Sequence, residues 1–140
     1  MSFIHKFNDW LFSMPEGDRS LRDIIVWWEL RRIPYNLIVG GVGFCSLLLF
    51  FIFIEASNKL KPGEDAVEPL GLIAAPFIMN VCYTAGWVVE AMFGRVWSAD
   101  GETIAPRLLK FGLGFSLFVV ILPSSLWGLY LLLHVLGTAM

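Results

Sequence analysis

Residues 38–54 read IVGGVGFCSLLLFFIFI, a run without a charged residue in which every interruption is a small residue. With residues 34–37 ahead of it, the run approaches the ~20 residues that cross ~30 Å of hydrocarbon at 1.5 Å per residue. A chain built on such a segment is a membrane protein, and the rest of the composition agrees. It is 57% hydrophobic with a mean hydropathy of +0.71, and 16% of its residues are charged, against ~25% in soluble domains. In 140 residues, two or three spans leave no soluble segment longer than about 35 residues, too few for an independent core. Any activity is therefore expected from the helices, the interface or an assembly.

The net charge is −2 and the ten basic residues are scattered, so no nucleic-acid partner is expected. Cys45 and Cys82 both lie in apolar runs without CxxC spacing; they imply neither a disulfide framework nor a zinc site and are expected to pack as small hydrophobes. Asp9, Glu16, Asp18 and Asp23 interrupt the first 33 residues, which is not the pattern of a signal peptide, so the first span is expected to be retained.

Residues 1–33 are read as an N-terminal cytoplasmic or interfacial region of one or two short amphipathic helices. Phe3, Phe7, Trp10, Leu11 and Met14 share a helical face while Lys6, Asp9 and Ser13 fall elsewhere, which suits a helix lying in the interface or packing on the protein's own bundle. Pro15 and Gly17 end it. Ser20 followed by Asp23 reads as a capping box opening a second short helix. That helix leads into the segment WWELRRIPYN, residues 27–36, whose aromatics suit the headgroup level. Glu29 is placed to pair with Arg32. Arg31 and Arg32 are candidate lipid-headgroup contacts, and Pro34 is expected to start the span or bend the chain into it.

Residues 34–140 are read as a three-span transmembrane bundle, with spans at about 35–55, 70–93 and 108–135, giving an all-α membrane protein. In the first span Asn36, Gly40 and Gly43 share a face that admits a neighbouring helix. Turn signals at Pro62-Gly63 and Asp100-Gly101 separate the spans. In the second, Asn80, Tyr83, Thr84, Trp87 and Glu90 recur at steps of three and four and form one stripe, with Pro76 on the same side. In the third, Gly112, Ser116, Pro123, Trp127, Tyr130 and His134 form another. Residues 108–135 would measure about 42 Å as a helix, so this segment must tilt, bend at Pro123 or project beyond the hydrocarbon. A re-entrant hairpin at Pro123-Ser124-Ser125 is the alternative.

Eight of the ten basic residues lie before the first span or between the second and third, and only Lys59 and Lys61 fall on the other side. The positive-inside rule then puts the N-terminus in the cytoplasm and the C-terminus outside, and the chain is read as a bacterial-type inner-membrane protein. Glu90 falls near the inner end of its helix, where it is expected to pair with Arg95, Arg107 or Lys110 or to titrate as a proton or cation group. Asn80 is the deepest strongly polar side chain and needs a partner, with Ser46, Ser116 or a second copy of itself as choices. His134 lies toward the opposite end from Glu90 and has no second transmembrane histidine to share a haem. No catalytic constellation, metal site or cofactor is implied.

The expected function is association in the bilayer, as an accessory or scaffold subunit of a membrane assembly, with a homo-oligomer or another membrane protein as partner. A homo-oligomeric pore or ion pathway lined by the second span's stripe is the first alternative. An interfacial lipid- or quinone-linked enzyme subunit is the second.

Overall fold

The computed structural model describes residues 3–14, 19–57, 69–97 and 104–138, and among these the chain is all helical. The helices are α1 (Phe3–Phe12), α2 (Leu21–Ser57), α3 (Pro69–Trp97) and α4 (Ala105–Thr138). Three of them, α2, α3 and α4, are long and apolar enough to cross a membrane, which makes this a multi-pass membrane protein. The turns expected at Pro15 to Gly17, Pro62-Gly63 and Asp100-Gly101 lie outside the described residues.

α2 begins as a capping box. The Ser20 backbone N–H donates to Asp23 Oδ2 at 3.0 Å, the Asp23 N–H donates back to Ser20 Oγ at 3.3 Å, and the first helical bond runs from the Ile24 N–H to the Ser20 carbonyl. Two free N–H groups of the first turn are thereby satisfied. The helix then continues without a break for 37 residues, about 55 Å. The sequence suggested a short amphipathic helix followed by a separate span starting at Pro34, but Pro34 lies inside α2. Proline removes one hydrogen bond, to the Leu30 carbonyl, and costs a soluble helix ~3 kcal/mol. Here residues on both sides of it, Trp28, Arg31 and Tyr35, are buried against other elements, and these contacts hold the helix continuous through the proline.

Pro76 and Pro123 likewise sit within continuous helices. α4 is a single helix through Pro123, so the re-entrant hairpin does not form. Its 34 residues span about 51 Å.

α2 and α4 run parallel. Tyr35 Oη and Ser116 Oγ lie 2.6 Å apart, and further along both helices Ser46 Oγ and Ser124 Oγ lie 2.7 Å apart. Their axes come close at Gly43, where a Cβ would touch Val120 at 3.6 Å, and at Gly128, where it would sit 2.9 Å from the Phe53 ring. α3 runs antiparallel to them: Glu90 meets Trp28 near the start of α2, and Asn80 meets Asn36 two turns on. α2 packs far more extensively on α4 than α3 does on either.

The core lies at one end, around Trp27, Trp28, Tyr35, Val39, Tyr83, Ala105 and Leu109, with Leu11 of α1 buried in it. Trp28, only 2% exposed, sits edge-on to Tyr83 at 5.3 Å between ring centroids and edge-on to Trp27 at the same distance. Each such pair adds ~0.5–1.5 kcal/mol beyond area burial. The indole also explains Gly86: a Cβ there would lie 2.7 Å from a Trp28 ring carbon.

Candidate functional site

The polar residues of WWELRRIPYN are divided by helical spacing. Trp27 and Arg31, four apart, face α1; Trp28, Arg32 and Asn36, also four apart, face α3; Tyr35 reaches α4. Because α2 is unbroken, this one segment joins all the other helices.

On the α1 side, Arg31 is 4% exposed. Its Nε donates to the Leu11 carbonyl at 2.7 Å, Nη2 donates to the carbonyls of Trp10 at 2.7 Å and Ser13 at 3.1 Å, and Nη1 donates to the Trp27 carbonyl. Trp27 Nε1 donates to Ser13 as well, at 2.9 Å. The last carbonyls of a helix have no partner within it and carry the negative end of its dipole, so Arg31 acts as the C-terminal cap of α1 from another helix. Its guanidinium also stacks over Trp27 at 4.0 Å and Trp10 at 4.9 Å. Of the two arginines expected at lipid headgroups, this one is turned inward.

The second, Arg32, is 25% exposed and grips Glu29 with two bonds of 2.9 and 2.7 Å. Its remaining donors reach Thr84 Oγ1 at 3.0 Å and Asn80 Oδ1 at 3.3 Å. Asn36 and Asn80 then face each other as a reciprocal amide pair, each Nδ2 donating to the other's Oδ1 at 3.1 Å. Asn80 Nδ2 also donates to the Pro76 carbonyl at 3.0 Å. Within the chain the partner of Asn80 is thus Asn36 rather than Ser46 or Ser116.

Glu90 is 6% exposed. Trp28 Nε1 donates to its Oε2 at 2.6 Å, and Arg19, from the stretch ahead of α2, is salt-bridged to its Oε1. The expected cation was Arg107 or Lys110 of α4, or Arg95, whose side chain lies outside the described residues. Arg19 is itself buried, with Nε lacking a hydrogen-bond partner. Tyr83 Oη donates to the Trp28 carbonyl, and Trp87 packs half-buried on the core. The stripe of Asn80, Tyr83, Thr84 and Glu90 therefore turns toward α2 and is engaged within one chain.

The α4 stripe divides. Ser116 is buried on Tyr35, Pro123 borders a cleft described next, and Trp127 lies edge-on to Phe50 at 6.3 Å. Tyr130 and His134, their rings parallel and 6.1 Å apart, are exposed on the outer surface. Arg19, Trp28 and Ser124 are polar partners that sequence reasoning missed. The repeated spacing Trp27/Arg31 and Trp28/Arg32/Asn36 was the available signal for the last turn of that network, had the helix been carried through Pro34.

Beyond the amide pair, the first half of α3 stands away from α2 and α4 and leaves an apolar cleft of about 840 Å³. Asn36 and Asn80 close one end; Gly40, Gly43, Gly71 and Ala75 give it width. Cys45 and Cys82 are free thiols on outward faces. Among the described residues, no three His, Cys, Asp or Glu side chains group so as to hold a metal ion. Comparison with known proteins finds no matching family model, no matching curated protein and no matching solved structure.

Proposed function

We propose that this protein is an accessory or scaffold subunit of a membrane assembly, acting by association with another membrane protein. The observation that carries this reading is the closure of the polar stripes within the chain. Donors and acceptors on α2, α3 and α4 satisfy one another, while large apolar side chains such as Phe77, Phe111, Phe118 and Leu133 cover the outer faces. Such a body offers shape and apolar surface, and association in a bilayer proceeds by close packing of such surfaces.

The pore reading has less support, because Asn80, Thr84 and Glu90 are occupied by Asn36, Arg32, Trp28 and Arg19. An interfacial enzyme has less again, since these groups are engaged in holding helices together. The membrane is proposed to be of bacterial inner type, with the N-terminus cytoplasmic, the C-terminus outside, and α1 at the interface. In support, α2 and α4 are parallel, which brings Arg19, Arg31, Arg32, Arg107 and Lys110 to one end. A C-terminal reporter active in the cytoplasm would overturn this orientation.

Photoreactive residues at outward positions 77, 111, 118 and 133, activated in native membranes, test the association. The expected result is an adduct with a different protein confined to one face. Adducts with lipid alone at all four positions would refute it, and adducts between copies would favour the homo-oligomer.

A further inference from the structure

α3 is tied to α2 by polar contacts that run from Asn80 to Glu90. Arg32 and Asn36 donate to Asn80, Arg32 to Thr84, Tyr83 to the Trp28 carbonyl, and the Trp28 indole to Glu90. The stretch ahead of Asn80 is held differently. Between Leu70 and Met79 no residue is buried, and Leu70, Ile73 and Phe77 are each more than half exposed. α2, by contrast, buries a residue every one or two turns as far as Ile54. The opening turns of α3 thus form an arm with no packed face.

Pro76 sits at the base of this arm, one turn from Asn80. It has no N–H for the carbonyl four residues back, that of Leu72, and a turn of helix lacking that bond is where a bend is taken up. On the other side the helix is pinned. Asn80 Nδ2 donates to the Pro76 carbonyl, the Thr84 hydroxyl donates to the Asn80 carbonyl, and the reciprocal amide pair holds Asn80 against Asn36. The cleft walls carry a third sign. Gly40 and Gly43 of α2 lie on one wall, Gly71 and Ala75 of α3 on the other. As the walls stand, the α2 glycines serve no packing against α3: a Cβ at Gly40 would meet nothing within 4 Å, and one at Gly43 would touch only Val120 of α4. Small residues on facing membrane helices allow close approach, and the gain is van der Waals contact.

From the bend point, the pinned end and the small residues on both walls together, we infer that α3 is hinged at Pro76 and that its arm, residues 69–75, swings between the open position and one closed on α2 and α4. Closure brings Gly71 and Ala75 toward Gly40 and Gly43 and gives the arm the packed face it lacks. Pro69 lies about 10 Å along the helix from Pro76, so a bend of ~20° carries it about 4 Å. The closed arm seals the apolar walls of the cleft from the bilayer; the open arm offers them to it. The hinge is independent of the association proposed above.

The test measures distances between nitroxide pairs on the full chain in phosphatidylcholine bilayers, with the exposed Cys45 and Cys82 replaced by serine. One pair, at positions 70 and 48, spans the arm; the other, at 81 and 37, spans the pinned part, and all four positions are exposed. The arm pair is expected to give two distances, the shorter by about 3–5 Å, and the second pair one. Gly40→Leu fits the open structure, where a Cβ meets nothing, but obstructs the closed one, so it is expected to remove the shorter distance and keep the longer. Pro76→Ala restores the missing donor and is expected to leave one distance. A single distance for the arm pair with Gly40 and Pro76 in place, a shorter distance that survives Gly40→Leu, two distances persisting in Pro76→Ala, or equal shifts in both pairs would overturn the inference. Comparison of the two pairs without either variant decides the question if a variant fails to fold.

Discussion

Arg31 and Glu90 are buried charges compensated in different ways, and the difference decides how each responds to substitution. Arg31 is neutralised by carbonyl dipoles at the end of α1, whereas Glu90 is neutralised by a full positive charge on Arg19 and by the Trp28 indole N–H. Removing one member of a buried ion pair strands the other and costs ~3–5 kcal/mol, while replacing both with apolar groups is often neutral. Glu90→Leu is therefore expected to lower the thermal midpoint in detergent sharply, and Arg19→Met combined with it to recover most of the loss. A double variant no more stable than the single would contradict the pairing. Tyr35→Phe removes one neutral hydrogen bond from Ser116 and is expected to cost about 1 kcal/mol in the same measurement.

At the scale of elements, α1 is fastened to the bundle by few groups, chiefly Arg31 and Trp27. Lysine keeps the charge of Arg31 but not the planar fork that reaches four carbonyls at once, three of them at the end of α1. Arg31→Lys should loosen α1, seen as faster hydrogen exchange at residues 3–12 with α2 to α4 unchanged; equal protection in both proteins would show that the cap is not what holds it. Gly86→Ala drives a methyl into the buried Trp28 ring, and overpacking of this kind costs ~1–3 kcal/mol, again read in the thermal midpoint. The elements themselves were largely legible. Three spans followed from length and apolarity, the start of α2 from Ser20 and Asp23, and the α3 stripe from its period. Its partners were not legible, because they depend on the register of α3 against α2, which no local pattern carries. Pro34 compounded this: read as a boundary, it separated Trp28 and Arg32 from Asn36, three members of one face. Arg19 was hidden for a simpler reason, since a residue outside any helix has no periodicity to betray its direction.

For the whole molecule, the polar groups that suggested several copies instead close on one another. Asn80→Leu breaks contacts with Asn36 and Arg32 of the same chain, so its effect on stability should be the same at every protein concentration; a loss that grows on dilution would point to contacts between copies. The register that closes these contacts also sets an order in time. α2 leaves the ribosome first, carrying Arg32 and Asn36, whose partners on α3 follow 44 to 52 residues later. At ~5–20 residues per second that delay is between about 2 and 10 s, during which a bilayer would expose both side chains unpaired. The two helices are thus suited to enter the membrane together as a hairpin, with α4 joining a pair already neutral, and a pause in synthesis between residues 57 and 69 would strand the chain at its most vulnerable point.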